Sequence, residues 1–431
     1  MDERLSWVPE FYWEIAPYIF LRRDDGLLIL PPNRVYKMND SGFQILEYLE
    51  KGGKLDAIPG MDDDKSVQLQ EFFLGLKTLY QEETLPPGVE RVPFDFDFTR
   101  LPILGEIAVT YRCNNKCRFC YAGCGDTDSA KMNTKELSFR ELKKIIRIFR
   151  DKAKIPFFSF TGGEPLVRHD LEKLMKYAVS LGFRINLITN GTLVTEKRAN
   201  AFYKAGLRTA QVSVEGPEEG IHDELVGVPG AFQRTLRGIK LLQDAGIRVQ
   251  TNTTITRVNI DSVIKIPSLL AQIGVKRFSM NLFIPTGKST ENEELFISYS
   301  EIGRVVDELR KEAHSLGLTF YWYSPTPHCY YNPIARGLGN KSCAAMDGLI
   351  SVTPTGDVIP CSSYDKPMGN LLTQDFKEVW FSEQAGWFKQ KKYAPRECEG
   401  CESFTACQAA CPLYWQYAGV EEIRKCKRKG A

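Results

Sequence analysis

The chain has 431 residues, 43% hydrophobic and 26% charged, with 56 Lys and Arg against 54 Asp and Glu for a formal charge of +2. That length suits two or three globular domains, each with its own core. The near-neutral balance excludes the strong positive field that gathers nucleic acid or an anionic membrane surface, so neither partner is expected. The opening MDERLSWVPEFYWEIAPYIF has no basic segment followed by an apolar run, and no window of about 20 apolar residues occurs, so a cytoplasmic protein is expected. In that reducing compartment twelve cysteines point to metal or redox chemistry rather than to a disulfide framework. The four histidines, His169, His222, His314 and His328, stand in no zinc-finger spacing, which leaves thiolate sites for zinc or iron–sulfur clusters.

Residues 1–95 contain no cysteine. Strands are predicted around Tyr18 to Arg22, Leu27 to Leu30 and Val35 to Met38, with a turn at Asp25-Gly26. A helix capped by Asn39 or Asp40 runs to Gly52-Gly53. A second, Lys65 to Gln81, places Val67, Leu69, Phe72, Phe73, Leu76 and Tyr80 largely on one side. Strands followed by helices read as a small winged-helix-like domain. Proline-rich Leu85 to Pro102 reads as a linker.

Residues 96–325 alternate short apolar runs (GEIAVTY, IPFFSF, RINLITN, TAQVSVE, IRVQTNTTI, RFSMNLFI) with charged amphipathic stretches. One such stretch opens on Ser138 and Glu141, the spacing of a capping box. Six strand–helix units predict an α/β fold with a parallel sheet, open or closed into a barrel, whose active face lies at the C-terminal strand ends. Residues 326–431 have little helical periodicity and eight of the cysteines, so this segment would need metal to fold.

Four cysteines fall in VTYRCNNKCRFCYAGCG, directly after the first strand of the central segment. Cys113, Cys117 and Cys120 could hold three irons of a four-iron cluster and leave the fourth open for chemistry. With Cys124 as a fourth ligand the same stretch could close a structural zinc site. Further on, paired Gly162 and Gly163 at a strand end allow a close backbone approach to a ligand.

Cys113-x3-Cys117-x2-Cys120, with Phe119 before the last cysteine, resembles the signature of the radical S-adenosylmethionine (SAM) superfamily. The resemblance extends through Gly162, Gly163 and Glu164, whose counterparts offer backbone groups to the SAM amino group. It reaches Asn190-Gly191 at the third strand end, and Ser213 and Glu215 at the fourth. Ser213, Glu215 and Asn252 are thereby implied as polar contacts to SAM. Val226 stands where the family often has an arginine. The family's chemistry implies reductive cleavage of SAM to a 5'-deoxyadenosyl radical that takes a substrate hydrogen.

The C-terminal spacing Cys343-x12-Gly356-x4-Cys361, Cys398-x2-Cys401-x5-Cys407-x3-Cys411 and Cys426 resembles the SPASM extension of radical SAM maturases. That resemblance implies a partial (βα)6 TIM-type barrel with a cysteine-rich C-terminal extension and three 4Fe–4S clusters, one of them binding SAM. Cys343, Cys361 and Cys411 would hold the first auxiliary cluster, with upstream Cys329 as a fourth ligand, or with an open iron. Cys398, Cys401, Cys407 and Cys426 would hold the second. Cys124 receives no role beyond that of a buried thiol. An electron donor such as flavodoxin or ferredoxin is implied.

The stretch LLILPPNRVYKMNDSGFQIL resembles the peptide chaperone of pyrroloquinoline quinone biosynthesis, which implies recognition of a precursor peptide or protein through the N-terminal domain. The expected function is therefore oxidation or cross-linking of a ribosomally made peptide. The alternatives are maturation of a protein or cofactor, of the tungsten-enzyme, sulfatase or haem-pathway type, or a non-enzymatic iron–sulfur scaffold. Ser362 after Cys361 departs from the aspartate that sulfatase maturases carry there.

Overall fold

The computed structural model describes residues 2–30, 34–58, 61–81, 98–124 and 134–429. Its contacts divide into two units, Met1–Leu104 and Gly105–Ala431.

In the first unit β1 (Phe20–Arg22), β2 (Leu27–Leu30) and β3 (Arg34–Lys37) form an antiparallel sheet in the order β1-β2-β3. The turn between β1 and β2 closes where Gly26 takes a φ of +66°, a conformation that favours glycine. The helix Asp40–Glu50 starts where expected: the Asn39 side chain accepts the Gly42 amide at 2.8 Å. The helix Asp63–Gln81 turns Leu69, Phe73 and Leu76 into a core shared with Leu46 and Leu49. An unforeseen helix, Val8–Ile15, completes that core. Val67, expected on the buried side, is 36% exposed, while Ser66 is buried in its stead.

Buried Arg22 pairs with Asp25 at 2.8 Å and reaches the carbonyls of Leu101 and Pro102, and Asp25 accepts the Arg100 amide. These bonds tie the residues after 98 into the first unit, so its boundary falls after Leu104 rather than at residue 95. Residues 82–97 of the expected linker lie outside the described residues.

The larger unit is built on β4 (Leu104–Ala108), β5 (Phe157–Thr161), β6 (Arg184–Thr189), β7 (Thr209–Ser213), β8 (Arg248–Ile255), β9 (Arg277–Leu282) and β10 (Thr319–Trp322). Strands β5 to β10 pair in parallel in chain order, with β4 beside β5. Amphipathic helices cover the outer face. The helix Phe139–Asp151 carries the expected capping box, worth about 1 kcal/mol, and buries Leu142, Ile145, Ile146 and Phe149. Phe158 meets Phe149, Phe160 and Phe183 edge to face beneath it. The α/β class and TIM-type partial barrel match expectation. The four-residue strand β10 adds a seventh member that its short apolar run did not announce.

The C-terminal segment is no separate body. Strands β11 (Leu349–Val352), β12 (Asp357–Ile359) and β13 (Gly369–Asn370) extend the same sheet beyond β4, with β11–β12 and β12–β13 antiparallel. No unit boundary falls at residue 326. Short helices follow, among them Phe376–Trp380, Pro412–Ala418 and Glu421–Lys429, more helix than the sequence pattern promised. Among the described residues no helix is long and apolar enough to cross a membrane.

Candidate functional site

Strand β4 leads straight into the loop of Cys113, Cys117 and Cys120, at the C-terminal edge of the barrel. Backbone bonds pin that loop: the Lys116 amide donates to Val226 O at 2.9 Å and the Arg118 amide to Leu225 O at 3.0 Å. Gly227, at φ +67°, is required there, because a Cβ would come within 2.6 Å of Lys116 O. Val226, in the place of the family's arginine, thus serves through its carbonyl. Phe119 packs beside Leu225, Phe283 and Leu295, so the structure gives it an anchoring place.

The three thiols lie close enough that charge on Cys113 or Cys120 disfavours charge on Cys117. Burial pushes Cys113 up to about 12 and Cys117 well above the usual thiol range. Cys120 is held down to about 6, chiefly by the Cys124 side chain. The amides of Asn115 and Cys124 point at the sulfurs of Cys113 and Cys120, each at 3.4 Å. Cys113 and Cys117, kept protonated by burial, become thiolates when a metal takes the place of the proton, and aimed amides suit a thiolate. The donor set therefore fits an iron–sulfur cluster. Cys124 is the buried thiol expected, with a second task as a partner of Cys120.

Gly162 and Gly163 make a close approach, but to protein. A Cβ on Gly162 would meet Thr110 O at 2.2 Å, and one on Gly163 would meet Arg112 O at 2.4 Å. The amides of Gly163 and Glu164 bond Thr110 O and Arg112 O, which fastens this turn to the chain entering the cysteine loop. Fully buried Glu164 accepts the Leu166 amide, the Thr189 hydroxyl and the Asn190 amide, locking the ends of β5 and β6 together. Asn190 in turn donates to Asn114 Oδ1 at 3.0 Å. The Gly-Gly-Glu element thus shapes the site through its side chain as well as its backbone.

Ser213 at the end of β7 stands beside Asn252 of β8 in register. Asn252 donates to Asn281 Oδ1 at 2.8 Å and accepts from Ser279 at 2.9 Å. Glu215 is buried and accepts the Thr254 amide, and burial pushes its carboxyl up to about 8. His222 accepts the Glu215 amide at 3.1 Å, and burial depresses its imidazole to about 4. Ser213, Glu215 and Asn252 therefore gather at one rim.

The C-terminal thiols form two groups. Cys343, Cys361 and Cys411 influence one another electrostatically, and burial raises all three. Cys411 is the residue before the helix Pro412–Ala418, where the nearby Leu413 and Tyr414 amides favour its charged form while burial raises it. Fully buried Lys391, itself at φ +55°, donates to Cys343 O at 2.8 Å and pairs with Asp347 at 3.1 Å.

Cys407, Cys401, Cys426 and Cys329 make the other group. The Cys426 thiol donates to Cys329 O at 2.9 Å, and Cys329 also feels Cys407. Cys329, expected either to complete the set of Cys343 or to leave that set with an open iron, stands by Cys407 and Cys426, and the Cys407 sulfur accepts the His328 amide at 3.4 Å. Gln408, Ala409 and Ala410 all adopt positive φ, at 52°, 58° and 59°. In that left-handed run the Ala410 amide donates to Cys407 O at 3.2 Å, and the backbone amides of Ala409 and Ala410 lie near enough to the Cys407 sulfur to favour its charged form. Cys398 opens the same segment. Among the described residues no three Cys, His, Asp or Glu side chains close onto a single-ion centre.

Several further residues at the sheet's inner face carried little sequence signal. Glu106 on β4 accepts Ser351 at 3.0 Å and Ser362 at 2.6 Å and bears on Cys361. Ser362, lacking the maturase aspartate, thus has a carboxylate beside it supplied from 256 residues away. Tyr323 accepts the Gln250 amide at 2.9 Å, and the Lys341 ammonium lies 5.2 Å from its ring centre. Only strand alternation could have flagged Glu106 and Gln250; nothing local marks Lys341.

Compared with known proteins, residues 107–270 match the Radical SAM superfamily and residues 343–402 match SPASM, an iron–sulfur cluster-binding domain. The chain is 32% identical over 318 residues to an AdoMet-dependent heme synthase of Oleidesulfovibrio alaskensis, covering 69% of this chain and 80% of that protein. A protein of the same description from Methanosarcina barkeri is 30% identical over 330 residues, 72% of this chain and 91% of its own. Among solved structures, Streptococcus suis SuiB bound to its precursor peptide SuiA is similar with a TM-score of 0.64, at 17% identity, over 92% of this chain and 95% of that one. The structure of anSMEcpe with bound AdoMet gives 0.57, at 18% identity, over 76% and 98%. At such identities the likeness to SuiB and anSMEcpe speaks to the fold.

Proposed function

The chain belongs to the radical SAM superfamily and carries its SPASM iron–sulfur extension, and from that premise we propose that it is a maturase oxidising a ribosomally made peptide. Its cofactors are 4Fe–4S clusters and SAM. When bound, they supply a 5'-deoxyadenosyl radical that takes a hydrogen atom from the substrate. In this reading Cys113, Cys117 and Cys120 hold the SAM-binding cluster, in a loop kept in place by Phe119 and the Val226 carbonyl. Gly162, Gly163, Ser213, Glu215 and Asn252 line the SAM pocket, and Glu164 fixes the strand ends that shape it. Cys343, Cys361 and Cys411 hold a first auxiliary cluster, while Cys398, Cys401, Cys407 and Cys426, with Cys329 beside them, surround a second. A flavodoxin or ferredoxin supplies the electron.

One observation favours a peptide. The Methanosarcina barkeri relative is matched over nearly all its length, yet more than a quarter of this chain lies outside the match. The first unit, Met1–Leu104, is about that size and ends its sheet on strand β3. The Met38 amide donates inward to Gly26 O, so by strand alternation the Val35 and Lys37 amides face away from β2, and among the described residues no backbone carbonyl accepts them, which suits a docking strand. A second reading, oxidation of a carboxylate-bearing tetrapyrrole, is favoured by the 30 to 32% identity to AdoMet-dependent heme synthases.

The test is 5'-deoxyadenosine release by the reconstituted full chain, with the product of a short reading frame beside the gene in one arm and iron coproporphyrin III in the other. Substrate-coupled release with the peptide, and about tenfold weaker peptide binding by Lys37→Pro, supports the first reading. Release coupled only to the porphyrin replaces it with the second.

A further inference from the structure

Among the described residues three Arg or Lys side chains are buried, and each has an acid beside it: Arg22 with Asp25, Arg168 with Asp170, and Lys391 with Asp347. That pattern is what desolvation demands, since an ammonium or guanidinium withdrawn from water needs a compensating charge. Lys341 departs from it. Its side chain is partly buried, burial disfavours its charge, and among the described residues no carboxylate lies within ion-pair reach of it; its neighbour is the Tyr323 ring, 5.2 Å away.

The surroundings of Lys341 belong to the barrel interior. Tyr323 follows β10 and its amide donates to Met280 O of β9. Its hydroxyl accepts from Gln250 of β8, which also donates to Ser279 of β9. Tyr323 is 41% exposed although burial raises its phenol, a combination expected of a side chain lining a concave, water-reached cavity. With its oxygen accepting from Gln250, the phenol keeps its proton to give. The neighbouring lumen groups, Gln250, Ser279, Asn252 and Asn281, are neutral amides and hydroxyls and cannot balance an ammonium. Two residues beyond Lys341 stands Cys343.

We infer that Lys341, with the Tyr323 hydroxyl, is a subsite for a carboxylate of the substrate, set between the barrel lumen and the Cys343 thiol group. A single ammonium and a single phenol match one carboxylate, whereas a phosphate would call for several cations or a cradle of amides. The inference rests on the preceding reading in one respect, that substrate reacts in the barrel lumen. The carboxylate has two possible sources, an Asp or Glu of a peptide or a propionate of a tetrapyrrole, and the chemistry at Lys341 is the same for both.

The test is competitive amine acylation of the SAM-saturated holoenzyme, with label at Lys341 read by mass spectrometry and exposed Lys240 as internal reference. The probes are acetyl-Ala-Glu-Ala-amide against its Gln twin, and iron coproporphyrin III against its tetramethyl ester. We expect one acid to slow labelling of Lys341 about tenfold while its neutral twin and Lys240 show no change, and the effective acid names the source. Equal protection by acid and neutral twin, protection by neither acid, or protection by SAM alone would overturn the inference. Lys341→Met should weaken binding of the effective acid about tenfold, and Lys341→Arg should recover most of it. Should Lys341→Met not fold, as judged by its iron content, the wild-type labelling decides alone. Release of 5'-deoxyadenosine, measured in parallel, reports separately on the radical SAM reading.

Discussion

The two cysteine-bearing regions reach a similar end by opposite means. Around Cys113, Cys117 and Cys120 the fold does the holding: the loop leaves β4, bonds to the end of the helix Glu219–Val226, and seats Phe119 in an apolar cluster. Around Cys343 to Cys426 the backbone itself bears cost. Residues 408–410 are left-handed without a glycine among them, at roughly 1 kcal/mol or more each, and a lysine is buried beside Cys343. A barrel can hold thiols ready for metal. The C-terminal segment holds conformations that bound metal repays.

The comparison can be broken most decisively at the first loop. Replacing Cys113, Cys117 and Cys120 together by Ala should abolish 5'-deoxyadenosine release and remove about four irons per chain, while circular dichroism stays native because the barrel core is independent of the metal. Loss of the fold instead would show that this loop, too, leans on its metal. Next in size is chelation of all iron. Hydrogen exchange should then accelerate across 396–411, by a hundredfold or about 3 kcal/mol of lost local stability, and stay slow in β5 to β8. Equal acceleration in both regions would erase the distinction.

A finer test concerns Cys329. Cys329→Ser should perturb the signal of the cluster assigned to Cys407 and Cys426, leave that of Cys343 unchanged, and lower the melting temperature by about 3 °C. A change confined to the Cys343 cluster would restore the original sequence-based assignment. The smallest effect sits between the two regions, at His222. Its folded value of about 4 lies below the ordinary 6.5, so between those values the unfolded chain takes up a proton that the native one refuses. Its contribution to stability is full above pH 6.5 and lost as pH falls toward 4, with a slope of at most about 1.4 kcal/mol per pH unit. His222→Asn should flatten that slope in urea titrations at successive pH values. An unchanged slope would assign it to other groups.

Much of this was legible in one dimension. Cysteine spacing is local, so Cys113-x3-Cys117-x2-Cys120 and the SPASM pattern could be read directly; short apolar runs located β1 to β9, though their ends missed by a few residues, and Asn39 and Ser138 marked two helix starts. Val67 and the short strand β10 escaped because a few residues carry too little periodicity to fix a face. What only the tertiary structure decided was which distant groups meet. Cys329 came to stand beside Cys426, Glu106 beside Ser362, and Lys341 beside Tyr323 with no acid among the described residues. The sequence by itself determined the cofactors, since a thiolate motif is chemistry written along the chain. The curl and register of the sheet determined the lumen, since which side chains face one another there depends on register between strands that no local pattern records.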